Sequence, residues 1–169
     1  MYKNNQNNNY PNFTGVLSGV PNAVAMISGS AKYPDVKGVV RLYQTAHGVI
    51  VSAQIKGLPR GKGNCASPIF AFHIHEGEEC TGNASDPFAN VRMHYDPYSC
   101  PHPYHAGDLP PLFGANGYAY SVFLTDRFSL ESVIGRTVVI HSHLDDFSSQ
   151  PAGNAGEKLA CGKIVPTRR

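Results

Sequence analysis

From Phe70 to Cys80 the chain reads FAFHIHEGEEC, with two histidines, His73 and His75, flanking a single apolar residue. A neutral imidazole offers one nitrogen lone pair to a metal, and two imidazoles at i and i+2 on a rigid strand can grip one ion. An isolated His-x-His is more often a half-exposed pair on an edge strand, so the rest of the chain decides. Of eight histidines, five lie downstream of this pair. The segment MHYDPYSCPHPYHAGDLPP places His102, His105 and Asp108 at every third residue, between prolines that exclude a regular helix. Imidazole nitrogens with one carboxylate oxygen suit tetrahedral zinc. His94, eight residues before His102, is a candidate fourth ligand. A solvated Pro-rich loop is the competing reading of that segment. In IGRTVVIHSHLDD, His141 ends an apolar run and can meet the His73/His75 pair from a neighbouring strand. Asp145, four residues on, can accept hydrogen bonds from ligand imidazoles. His143 alternates onto the face of His141 and reads as a solvated neighbour.

Short strands must hold these groups. In Phe70–His75, side-chain alternation puts Phe70, Phe72 and Ile74 on one face, toward the core. Ala71, His73 and His75 share the other face, directed outward. GVIVSAQIKGL alternates likewise, with Val49, Val51, Ala53 and Ile55 on one side. VVRLYQ pairs with it across Thr45-Ala46-His47-Gly48, and GYAYSVFL follows the turn signal Asn116-Gly117. AVAMISGSA, RTVVIH and LACGKIV complete the set. The pattern predicts an all-β fold, an antiparallel Greek-key sandwich or flattened barrel of about eight strands. Two long segments, 76–113 and 144–157, interrupt it; each starts at or just after a histidine, and loops of that size are usually functional or disordered.

The 169 residues suit one domain, and 17 glycines with 13 prolines favour turns over long helices. A net charge of +2 gives no argument for nucleic acid or an anionic membrane. No apolar run is long enough to span a bilayer. The Asn-rich start, MYKNNQNNNYPNF, has no apolar segment of a secretory leader, and residues 1–15 read as a flexible tail before a single domain over 16–169. Compartment stays open. Four cysteines, Cys65, Cys80, Cys100 and Cys161, allow three pairings if all are bridged.

FHIHE, HYDP…H…HAGDLP, IGRTVVIHSHLDD and GNAGEKLACG, in this order, resemble copper/zinc superoxide dismutase, a β-sandwich enzyme, over Pro21 to Val165. The resemblance implies disproportionation of superoxide to oxygen and hydrogen peroxide by copper redox cycling. It assigns copper to His73, His75, His94 and His141, and zinc to His94, His102, His105 and Asp108. His94 would bridge both metals as an imidazolate, its second proton displaced by two flanking cations. On copper reduction it would leave the metal, take up a proton and deliver it to the forming peroxide. Asp145 would orient His75 and His102. Cys80–Cys161 would match the family's intrachain disulfide. Superoxide is the implied partner, without nucleic acid or membrane, and a homodimer is compatible with the resemblance. The His102 to His105 spacing is compact, as in bacterial members.

Three features depart from the family pattern. Lys158 stands where an arginine usually guides the anion, keeping the charge without the planar donor fork. The 144–157 loop is shorter and poorer in charge than in eukaryotic cytosolic members, which weakens the expectation of long-range steering. Cys65 and Cys100 have no family counterpart; a second bridge between them is expected, against two free thiols or Cys100 as a stray soft ligand. The alternative function is a non-enzymatic copper/zinc-binding module on the same scaffold.

Overall fold

The computed structural model describes residues 12–63 and 68–168. Nine strands are present among them: β1 (Ala23–Gly29), β2 (Lys37–Thr45), β3 (Gly48–Lys56), β4 (Ile69–Phe70), β5 (Phe72–His75), β6 (Leu112–Phe113), β7 (Tyr118–Thr125), β8 (Thr137–His141) and β9 (Lys158–Pro166). Seven form one curled antiparallel sheet in the order β5-β8-β9-β1-β2-β3-β7, and β4 pairs with β6 in a two-stranded sheet. The expected Phe70–His75 strand is thus split at Ala71. There the backbone leaves β6 and joins β8, with His141 N donating to Ala71 O and Ala71 N to His143 O. β6 then runs through Asn116 and Gly117 into β7, at the far edge of the large sheet. Their φ angles of 54° and 86° are those of the tight hairpin turn that Asn-Gly favours. In this way the sheet curls back toward its own beginning, as a flattened barrel.

The inner face carries the expected alternation. Val49, Val51, Ala53 and Ile55 of β3 join Phe70 of β4, Phe72 and Ile74 of β5, Val138 and Ile140 of β8, and Leu159 and Ile164 of β9 in one core. A short helix, α1 (Phe13–Leu17), is capped by Asn12 and buries no side chain; it replaces part of the expected tail. A second, α2 (Leu130–Val133), seats Leu130 and Val133 in the core. No helix among the described residues is long and apolar enough to cross a membrane.

The 76–113 loop covers the other face of β5 and β8. Its Phe88 and Val91 pack on Val139 and Cys161 as a small second core, with Cys80 against it. The Cys80–Cys161 disulfide, Cα–Cα 5.6 Å, ties that loop to the last strand. Backbone bonds from Ile74 N to Gly107 O, Tyr95 N to Ile74 O and Leu109 N to Phe72 O satisfy the open edge of β5, which would otherwise expose its donors and acceptors. Consequently His73 and His75, expected to face outward, lie beneath the loop. The expected Cys65–Cys100 bridge falls outside the described residues, because Cys65 does; Cys100 has no disulfide partner among those described.

Candidate metal centre

His73 and His75 sit on one side of β5, opposite Val139 and Thr137 of β8. His141 follows a bulge between Ile140 and His141, which leaves it opposite Lys158 of β9. The loop then brings two partners to the strand edge through isolated bridges, His94 to His75 and Asp108 to His73. The outcome is two groups of buried side chains: His73, His75, His94 and His141, and His94, His102, His105 and Asp108. Within each group one potential ligand atom per residue lies within 4.8 Å of the others, and His94 belongs to both.

Hydrogen bonds determine which nitrogen of each ring keeps a lone pair. His75 Nδ1 lies 2.9 Å from Arg92 O, and His141 Nδ1 lies 3.5 Å from Gly156 O. A carbonyl only accepts, so both Nδ1 atoms donate and both Nε2 atoms keep lone pairs. Those two lone pairs then face each other at 3.2 Å, where they repel unless a cation lies between them. Asp145 accepts from His73 Nε2 at 2.7 Å through Oδ2 and from His102 Nε2 at 2.9 Å through Oδ1. This leaves Nδ1 of His73 and of His102 unprotonated, each with a free lone pair. Both are buried without a hydrogen-bond partner, as is His94 Nε2. Buried polar atoms are rarely left unpaired, and three orphaned nitrogens within these two groups fit metal ligation.

The second group has the same character. Asp108 Oδ1 is 2.7 Å from His94 Nδ1, and its Oδ2 is 3.1 Å from His102 Nδ1 and 3.2 Å from His105 Nδ1. The His102 contact is close but lacks hydrogen-bond geometry, since His102 Nδ1 counts as unpartnered. Ligand atoms held about 2.0–2.1 Å from one tetrahedral ion lie a little over 3 Å apart, so the 3.1 and 3.2 Å spacings are those of co-ligands, while the 2.7 Å contact with His94 is a hydrogen bond. Three imidazole nitrogens and a carboxylate suit zinc, and four imidazoles suit copper.

Electrostatics keep the lone pairs available. Burial, reinforced by the neighbouring histidines, holds His75 and His141 well below their ordinary value, and burial also lowers His73 against the opposing pull of Asp145. Burial pushes Asp145 upward, yet hydrogen bonds from His73, Phe147 N and His102 outweigh it and keep the carboxyl well below its usual range. Asp108 is likewise lowered, by His94, His102 and His105 against its burial. His73, His75 and His141 are therefore held neutral, and Asp108 and Asp145 ionised, the protonation states metals require.

The structure corrects one expected role. Asp145 links His73, not His75, to His102. Asp145 meets His73 Nε2, whereas His75 Nδ1 is taken by Arg92 O and its Nε2 lies against His141. Its approach needs Gly153, φ +65°, where a Cβ would stand 2.0 Å from Asp145 Oδ1 and 2.7 Å from His102 Nε2. His143 is exposed, as expected. Sequence reasoning missed Gln150, whose side chain brackets His102 by accepting from its N at 3.0 Å and donating to its O at 2.7 Å. It also missed Arg127, whose Nη1 donates to the loop carbonyls of Pro103, His105 and Asp108.

A cavity of about 390 Å3 opens over the first group, lined by His75, His94 and His141 together with Arg92, Lys158 and the 149–156 segment. Lys158 stands where the anion-guiding residue was expected, but its Nζ is paired with Asp86 Oδ2 at 2.5 Å. No sequence signal pointed to Asp86.

Comparison with known proteins agrees with this geometry. Residues 36–164 match the family model for copper/zinc superoxide dismutase. Superoxide dismutase [Cu-Zn] 2 of Aquifex aeolicus is 34% identical over 145 residues, spanning 77% of this chain and 80% of its own. Superoxide dismutase [Cu-Zn] A of Xenopus laevis is 35% identical over 158 residues, spanning 84% and 95%. The structure of the Brucella abortus copper/zinc superoxide dismutase superposes with a TM-score of 0.70 at 23% identity, over 83% of this chain and 98% of that one, a likeness of fold. With the family model spanning most of the chain and relatives a third identical over most of their own length, the chain belongs to the copper/zinc superoxide dismutase family.

Proposed function

We propose that this protein is a superoxide dismutase, converting two superoxide anions and two protons to one O2 and one H2O2. One observation carries the reading: two buried four-residue groups share His94, which has an unpartnered Nε2 and lines an open cavity. His73 Nδ1 and Nε2 of His75, His94 and His141 would hold copper; Asp108 and Nδ1 of His94, His102 and His105 would hold zinc. Bound copper would supply the one-electron redox change, and bound zinc a fixed charge that sets the basicity of His94. His94 is the residue placed to hold and pass a proton, since its Nε2 is buried at the cavity and bonded to nothing else among the described residues. Asp145 keeps His73 and His102 in the tautomers that direct Nδ1 inward. Lys158, on the cavity wall, contributes positive charge toward a small monoanion.

The test loads the protein with copper and zinc, measures both by elemental analysis, and follows superoxide decay after pulse radiolysis. Catalytic decay proportional to copper content is expected. A fully loaded protein that leaves the decay unchanged overturns this reading in favour of a non-enzymatic copper/zinc-binding module.

A further inference from the structure

Arg92, two residues before His94, has φ 61° and ψ −144°. Glycine reaches that region freely, whereas a residue with a Cβ is strained there, and such strain persists mainly where function retains it. The Arg92 carbonyl accepts from His75 Nδ1, but any residue would present that carbonyl, so the bond does not account for the side chain. The residue is exposed, and among the described residues its guanidinium has no ion pair and no hydrogen bond.

Its surroundings supply a reason. Arg92 and Lys158 are the two cations lining the cavity over His75, His94 and His141. Lys158 is ion-paired with Asp86, which offsets part of its charge, and Lys32 is paired with Glu157 at 2.7 Å. On its other side Arg92 borders a cleft lined by Glu76, Glu78 and Glu79. An arginine side chain is shorter than the screening length of about 10 Å at 0.1 M salt, so its charge acts on the cavity in any rotamer. Arg136 lines that same cleft and Lys163 lies 3.9 Å from Glu78, so its carboxylates have other cations beside Arg92.

We propose that Arg92 is a specificity-determining cation that draws small monoanions into this cavity, a task Lys158 fulfils only in part because Asp86 holds it. The inference rests on the proposed dismutase reading and deepens it. Arg92→Gln removes the charge and keeps the strained backbone, Arg92→Lys keeps the charge, and Arg92→Gly removes both charge and strain. Each is loaded with copper and zinc, then measured for dismutase rate against ionic strength, azide affinity by copper absorbance, and thermal midpoint. Arg92→Gln should lower rate and azide affinity about threefold at low salt, converging with wild type at high salt. Arg92→Lys should restore both, and Arg92→Gly should be as slow as Arg92→Gln while melting higher. Equal rate and azide affinity in wild type and Arg92→Gln overturn the inference while leaving the dismutase reading intact. An inert wild type overturns the dismutase reading and the inference together.

Discussion

Asp145→Asn is the perturbation that reaches both candidate metal groups at once. Asp145 Oδ2 accepts from His73 Nε2, while Oδ1 accepts from His102 Nε2 and from Phe147 N, at 2.7, 2.9 and 2.8 Å. Asparagine has the same shape but only one acceptor oxygen. One imidazole must then face an amide donor. Its relief is to move the ring proton to Nδ1, the nitrogen that would bind metal. Losing such an outer partner typically costs 10–100-fold in metal affinity, about 1.4–2.7 kcal/mol. Copper and zinc affinities are read by competition with chromophoric chelators, on wild type, Asp145→Asn and Asp145→Ala. Asp145→Asn should weaken at least one metal by about 10-fold or more, and Asp145→Ala, which removes both tethers, should weaken both. Unchanged affinity for both metals in Asp145→Asn would refute the claim that this carboxylate fixes the tautomers of His73 and His102.

Further expectations concern stability and charge. Cys80→Ser opens a loop of 81 residues, and chain entropy predicts a loss of about 4–5 kcal/mol, read by urea unfolding under non-reducing conditions. In the metal-free protein His75 and His141 stay neutral well below 6.5, so the unfolded chain takes up protons first as pH falls. Stability is therefore present above about pH 6.5 and declines below it by about 1.4 kcal/mol per pH unit for each of these histidines. The depressed Asp145 adds its own loss below about pH 4. Denaturant midpoints that stay flat from pH 7 to pH 5 would contradict this sign. Lys158→Glu places a second negative charge beside Asp86 at the cavity wall and should slow turnover about 10-fold or more at low salt, whereas Lys158→Arg should change it little. An unaltered rate in Lys158→Glu removes that residue from the account.

Much of the site was legible because its donors announce themselves by type and spacing. His73 and His75 on one strand face follow from alternation, and Pro101, Pro103 and Pro110 exclude the helix that would have scattered His102, His105 and Asp108. The strands were legible for the same reason, down to the Asn116-Gly117 turn. What alternation cannot state is what covers a face: the burial of His73 and His75 depends on a loop that returns to the edge of β5 through Tyr95, Gly107 and Leu109. The assignment of Asp145 failed because it depends on which ring nitrogen is already taken, His75 Nδ1 by Arg92 O, and on Gly153 leaving room. Asp86 and Lys158 are 72 residues apart, beyond any local pattern, and the strain at Arg92 is a property of the folded backbone alone.

The central claim is that one histidine, His94, is shared by a copper and a zinc. Diffraction from the loaded protein, with anomalous scattering recorded at both absorption edges, tests it directly. One copper bonded to His73 Nδ1 and to Nε2 of His75, His94 and His141 is expected. One zinc bonded to Asp108 and to Nδ1 of His94, His102 and His105 is expected, with the His94 ring between the two peaks. Metal peaks on other residues, or a His94 bonded to one metal only in fully loaded protein, would contradict it.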